Sequence, residues 1–145
     1  MKRFIRIVCF IMVATVLLTT GAMAAENENQ RASNYFGSYS VYLHKISSTQ
    51  FQAWFEVVAV AGMQKLGART IEIQRSTNKV NWTTVATYEM EDYSSMTASN
   101  TSFHDGYVTY TYTSGYYYRA YVELYAKNSN GTAVYDAYTS YLDLR

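Results

Sequence analysis

Proline is absent from all 145 residues, and cysteine occurs once. That cysteine, Cys9, lies inside an N-terminal apolar run. The chain beyond that run therefore has no disulfide, no thiolate nucleophile and no cysteine ligand for zinc. Cys9 is also too early, and too embedded in the run, for a lipoprotein cleavage site. Histidine is scarce, with only His44 and His104, and a zinc site needs three or four ligands. An excess of one charge is lacking too, at 12 Lys and Arg against 11 Asp and Glu. So even a balance argues against a nucleic-acid ligand or an anionic membrane surface. The only long apolar stretch, Ile7 to Leu18, is about a dozen residues, and a spanning helix needs roughly 20. No period of 20–50 residues repeats, which disfavours a solenoid or propeller.

The N-terminus has the form of a signal peptide. Lys2, Arg3 and Arg6 precede the apolar run, and Ala22-Met23-Ala24 supplies the small-x-small cleavage pattern. The sequence predicts a signal helix over 1–24, cleavage near Ala24 and a secreted chain starting at Ala25. With Lys2, Arg3 and Arg6 removed, 9 basic residues face 11 acidic ones, a net charge near −2. A cysteine-free exported domain suits a bacterial secretion route. Residues 25–34 are polar and read as a flexible leader, and 35–145 as one domain. The C-terminal Tyr141-Leu-Asp-Leu-Arg145 carries no wall-sorting or lipid-anchor pattern, so release from the cell is expected, with no membrane attachment.

Tyrosine is what the chain has in abundance. All 16 tyrosines lie beyond the signal segment, and Tyr and Thr favour strands. Period-2 segments separated by turn residues predict strands over 39–46, 51–60, 70–75, 82–88, 107–113, 116–126 and 134–142. Phe51, Ala53, Phe55 and Val57 share one face of the second, with Gln52, Trp54 and Glu56 on the other. Gly62 to Gly67 reads as a loop, and 89–102 as an irregular connection with room for one helical turn. Asn128-Ser-Asn-Gly131 is a hairpin signal, because Asn and Gly tolerate positive φ. The fold class is all-β, a seven-stranded antiparallel β-sandwich. Outer-membrane barrels need more, and more even, segments.

Two stretches resemble fibronectin type III or immunoglobulin-like domains. Ile71-Glu-Ile-Gln-Arg-Ser-Thr-Asn-Lys-Val-Asn-Trp82-Thr-Thr-Val85 resembles their strand–turn–strand ending in Trp and Val. Gly115-Tyr-Tyr-Tyr-Arg-Ala-Tyr-Val122 resembles their penultimate strand. By that match Tyr116 is the tyrosine whose hydroxyl bonds back to the preceding turn. Tyr118, Ala120, Val122 and Leu124 then face the core, while Tyr117, Arg119, Tyr121, Glu123 and Tyr125 face out. Two features depart from the pattern: proline is missing, and Trp54 has the opposite parity from Phe51 and Phe55. The chain also resembles a family of small proteins secreted by Gram-positive bacteria, through Arg31-Ala-Ser33, the Trp82 hairpin and the Tyr-Tyr-Arg-Ala-Tyr-Val strand. That resemblance implies a location and a fold, and no activity.

No catalytic pattern stands out. Ser102, His104 and Asp105 contain triad residue types, but adjacent strand residues point to opposite faces, and no Gly-x-Ser-x-Gly elbow occurs. Glu89, Glu91 and Asp92 cluster without a calcium-loop spacing and read as a solvated turn. No pair of carboxylates is marked out for glycoside hydrolysis. Ser76-Thr-Asn-Lys-Val-Asn-Trp82 resembles the Asp-box turn but lacks its glycine and occurs once. Three Asn-x-Ser/Thr sequons, at Asn81, Asn100 and Asn130, are explained by turn chemistry. The candidate site is aromatic: Tyr117, Tyr121 and Tyr125 in a row with Arg119, with Tyr135 or Tyr138 widening it. Rings in a row can stack on sugars, and equally they stabilise a sheet. Arg119 and Glu123 are candidates for an ion pair. The expectation is a secreted, non-enzymatic binding module without metal or cofactor, for a cell-wall glycan or a protein. The alternatives are a secreted effector, a self-assembling surface protein, or a small hydrolase.

Overall fold

A computed structural model describes residues 34–145. The expected signal peptide with its helix, and all but the last residue of the expected leader, lie outside the described residues. The rest is all-β. Seven strands run β1 (Phe36–Lys45), β2 (Gln50–Ser76), β3 (Thr83–Glu89), β4 (Thr97–Thr111), β5 (Tyr116–Asn128), β6 (Gly131–Tyr138) and β7 (Leu142–Leu144). A 3-10 turn at Ser94–Met96 precedes β4. Every pairing is antiparallel.

The number of strands agrees with the sequence reading only because two differences cancel. The second and third predicted strands are one strand, β2, of 27 residues. The last predicted strand is split into β6 and β7. In place of the expected Gly62–Gly67 loop, β2 continues through both glycines. Its register shifts between Val58 and Met63 against β4, between Ala68 and Thr70 against β5 and between Ile73 and Gln74 against β3. Bulges bend a strand and increase its twist, so β2 serves two wings. Its first part lies between β1 and β4, and its last part between β3 and β5. Gly67 is required by a close approach: a Cβ there would stand 2.0 Å from the Met96 carbonyl oxygen. The expected irregular segment 89–102 does contain the helical turn, but Thr97–Ser102 already belong to β4.

One buried apolar cluster is shared by both wings. Phe51, Ala53, Phe55, Val57 and Ala59 enter it from β2, and Tyr118, Ala120, Val122, Leu124 and Ala126 from β5, all buried. These are the alternations the sequence predicts. The Phe51 ring meets Tyr118 at 5.5 Å, and Tyr110 and Tyr112 each meet Tyr118 at 6.0 Å. On the far side Tyr39 of β1 meets Tyr135 of β6 at 4.8 Å, with their hydroxyls hydrogen-bonded. Asn128 pairs with Gly131 across the expected hairpin, where Gly131 has φ +137°.

The back-bonded tyrosine is Tyr118, not Tyr116. The Tyr118 hydroxyl donates to the Thr113 carbonyl at 2.8 Å. Tyr116 shares the inward parity but sits a step nearer the strand end, where its ring carries the Arg75 guanidinium at 4.4 Å.

Candidate functional site

The outer face of the second wing is built on β5. Alternation puts Tyr117, Arg119, Tyr121, Glu123 and Tyr125 on the side away from the core. Register sets Gln74 beside Arg119 and Glu72 beside Tyr121 on β2, and Tyr138 beside Tyr121 on β6. The turn after β2 then brings Lys79 and Trp82 onto the same face. That turn is held by side chains: Ser76 Oγ accepts the Asn78 and Lys79 amides, and Asn78 Oδ1 accepts those of Val80 and Asn81. It is an Asx-type arrangement, the reason Asn is favoured there. The Trp82 indole N–H donates to the Lys79 carbonyl at 3.1 Å, which orients the ring.

Arg119 is the centre of the face. Its guanidinium lies 4.4 Å from the Trp82 ring and 4.6 Å from the Tyr138 ring. Each such contact is worth about 0.5–1 kcal/mol near a surface. Its Nε donates to Gln74 Oε1 at 2.8 Å. Gln74 in turn donates to Glu72, which also accepts the Thr84 hydroxyl. The expected Arg119–Glu123 ion pair does not form, because Glu123 pairs with Arg69 from the adjacent strand. Cross-strand neighbours are nearer than residues four apart on one strand, which are about 13 Å apart.

Tyr121 packs on Tyr138 at 5.2 Å, and its hydroxyl donates to Asp136 at 2.8 Å. Burial first, and then this bond to an anion, push its phenol well above the usual range, so it stays a neutral donor. Tyr117 is on the predicted face yet only 5% exposed. Tyr141 covers it edge-on at 5.5 Å, with Lys79 and Arg145 at 4.5 and 4.3 Å from its centroid. It supports the surface from below. Lys79 also lies 4.6 Å from the Tyr141 ring centroid and donates to its hydroxyl at 3.0 Å, a bond that raises the ammonium pKa. Asp143 takes two hydrogen bonds from the Arg145 guanidinium, which hold its carboxyl down to about 2. Tyr125 is half-buried further along β5, between Gly67 and Val134 in register, and makes no ring contact among the described residues.

The site thus joins Arg119, Tyr121 and Tyr138, buries Tyr117 and leaves Tyr125 apart. Tyr135 points inward, against Phe36 and Tyr39, and does not widen the face. Sequence reasoning missed Lys79, Tyr141 and the part Trp82 plays here. Only the capped turn at Ser76–Asn81 hinted that these residues fold back over β5.

The first wing carries its own aromatic row. Tyr42, Trp54 and Tyr107 are register neighbours on three adjacent strands. Trp54 is 4.5 Å from Tyr107 and 6.2 Å from a parallel Tyr42, and its N–H donates to Gln52. Trp54 is thus flanked on both sides, while Tyr42 and Tyr107 at the ends of the row stay exposed.

The triad types stay apart in role. His104 Nε2 lies 3.0 Å from the Ser95 carbonyl, while Ser102 and Asp105 are exposed. No group of three His, Cys, Asp or Glu residues is placed to hold a metal among the described residues, where Glu89 accepts the Thr70 hydroxyl instead. No described helix is long and apolar enough to cross a membrane. Compared with known proteins, the chain matches no protein-family model and no curated protein.

Proposed function

We propose that this protein is a secreted, non-enzymatic extracellular binding module that uses the β5 face to hold a cell-wall glycan or a protein. The observation that carries the proposal is the Trp82–Arg119–Tyr138 sandwich, its Arg119 held by a side-chain hydrogen bond to Gln74 on the outer face of β5. Trp, Tyr and Arg are the residue types that dominate binding hot spots, and pre-ordering them lowers the cost of association. Tyr138 and Tyr141 remain 55% and 48% exposed beside the cations. The scaffold is read as an immunoglobulin- or fibronectin-like β-sandwich. Supporting this are the two wings sharing one buried apolar cluster and the back-bonded tyrosine on the penultimate long strand. Secretion rests on the signal pattern of residues 1–24.

Self-assembly is the second reading. It is favoured by β4, which is 15 residues long and pairs only with β2 among the described residues. Long edges invite pairing. It ranks lower because part of that strand is plugged. Thr101 Oγ1 bonds both the amide and the carbonyl of Phe103, and the Tyr88 hydroxyl takes the Thr109 carbonyl.

The test is retention of the purified protein on insoluble peptidoglycan and a polysaccharide panel, beside a Tyr121→Ser/Tyr138→Ser variant with an unchanged circular-dichroism spectrum. Retention lost in the variant is the expected result. Retention equal in both would move the site off this face, and no retention of either would remove glycan as the ligand.

A further inference from the structure

Charge changes sign along the β5 face. At one end the carboxylates are all engaged: Glu123 by Arg69, Asp136 by Tyr121, and Glu72 by Gln74 and Thr84. At the other end lie Arg119, Lys79 and Arg145, and only Arg145 has a carboxylate partner among the described residues. Arg119 and Lys79 therefore form no salt bridge among the described residues and both rest on aromatic rings, Lys79 near an Asp143 carboxylate that Arg145 already holds.

We infer that the Arg119–Lys79 end of this face binds an acidic polysaccharide, a chain of sugar rings carrying carboxylates. The inference rests on the binding-module reading and names its ligand class. Arg119 has Trp82 and Tyr138 against its plane and its Nε committed to Gln74. What it has left is the pair of Nη groups, which make no hydrogen bond among the described residues. That edge is a planar fork whose geometry matches a carboxylate. Lys79 is exposed and spends one of its three N–H donors on Tyr141, leaving two.

The two cations come from different elements, Arg119 from β5 and Lys79 from the turn after β2. Lys79 sits over the Tyr117 ring, and Tyr117 is the outward neighbour of Arg119 on β5. A ligand with repeated anionic groups can satisfy both. Exposed ring surface at Tyr138 and Tyr141 beside the cations favours a ligand that alternates charge with apolar ring faces. Next to them, Glu72 and Asp136 can accept hydrogen bonds from ligand hydroxyls. An acidic peptide supplies the charge without the ring faces and hydroxyls.

The experiment titrates the full secreted protein with polygalacturonate, with the same polymer fully methyl-esterified, and with poly-glutamate. Native protein is compared with Arg119→Gln and, separately, Lys79→Gln, each checked by near-UV circular dichroism. Expected is binding to polygalacturonate that weakens with salt, falls at least tenfold in either variant, and is absent for the ester. Equal binding of acid and ester, unmoved by either substitution, would overturn the inference and leave the binding-module reading standing. Poly-glutamate bound as tightly as polygalacturonate would overturn the polysaccharide assignment. No binding to any polymer would overturn it as well. Peptidoglycan retention then separates the two failures: if retention persists the module reading survives, and if retention is also absent its glycan arm falls too. Should Arg119→Gln misfold, Lys79→Gln alone decides, since that side chain is exposed.

Discussion

The Tyr118 hydroxyl closes a two-way bond with the main chain of Thr113, donating to its carbonyl at 2.8 Å and accepting its amide at 3.2 Å. The rest of the Tyr118 side chain is fully buried against Phe51, Tyr110 and Tyr112. One residue thus ties the β4–β5 connection to the core. A buried polar group left without its partner costs about 1–3 kcal/mol.

Tyr118→Phe is expected to destabilise the protein by about 1–2 kcal/mol, because two main-chain groups lose a partner while the ring stays. Tyr116→Phe keeps the ring under Arg75 and should cost less than about 0.5 kcal/mol. Urea unfolding of the two variants decides between them. Equal losses would return the back-bonding role to Tyr116.

Gly67 and Gly62 are expected to respond in opposite ways to alanine. At Gly67 φ is +153°, and the new Cβ would meet main-chain atoms of Met96 and Thr97 at 2.0–3.0 Å. Those atoms cannot rotate aside, so Gly67→Ala should cost about 3 kcal/mol or prevent folding. At Gly62 nothing lies within 4 Å. Gly62→Ala should be neutral or stabilising by about 0.5 kcal/mol, through the lower entropy of the unfolded chain. Thermal melts of both variants test the pair.

Alkaline titration should divide the tyrosines. Burial is the main cause raising the phenol pKa of Tyr88, Tyr110 and Tyr121, and for Tyr39 it is the bond to Tyr135. Folded values above the unfolded value of 10.0 favour the neutral form in the native state. Their stabilising contribution is complete below pH 10 and is lost as pH rises past it. Phenolate absorbance from these four should appear only above pH 10, together with loss of the near-UV circular-dichroism signal. A single transition with the fold intact would contradict this.

The capped turn between β2 and β3 should govern the outer face of β5 more than it governs stability. Ser76→Ala removes the acceptor of two amides at 2.9 and 3.1 Å, and the expected loss is about 1 kcal/mol. Its larger effect should be on Trp82 and Lys79, which the turn carries. Tryptophan fluorescence anisotropy should fall in Ser76→Ala and stay unchanged in Ser94→Ala, a substitution in the 3-10 turn before β4.

Local pattern by itself determined which residues face the core. Period-2 alternation sets Phe51 with Phe55 on one face, the resemblance of the Tyr116 strand implies that Tyr118, Val122 and Leu124 face inward, and Asn128–Gly131 marks a hairpin, because these signals lie within a few residues of chain. It also put Arg119 and Tyr121 on the outer face. Only the tertiary structure decided what those residues meet. Gln74 reaches Arg119 across 45 residues of sequence, Lys79 reaches Tyr141 across 62, and Arg69 takes Glu123 across 54. Pairing and register set such contacts, and alternation along one strand carries no information about its neighbour. The same holds for β2: glycines that read as loop ends serve a bulged strand, because the reason for Gly67 is the approach of Met96, 29 positions later in the chain.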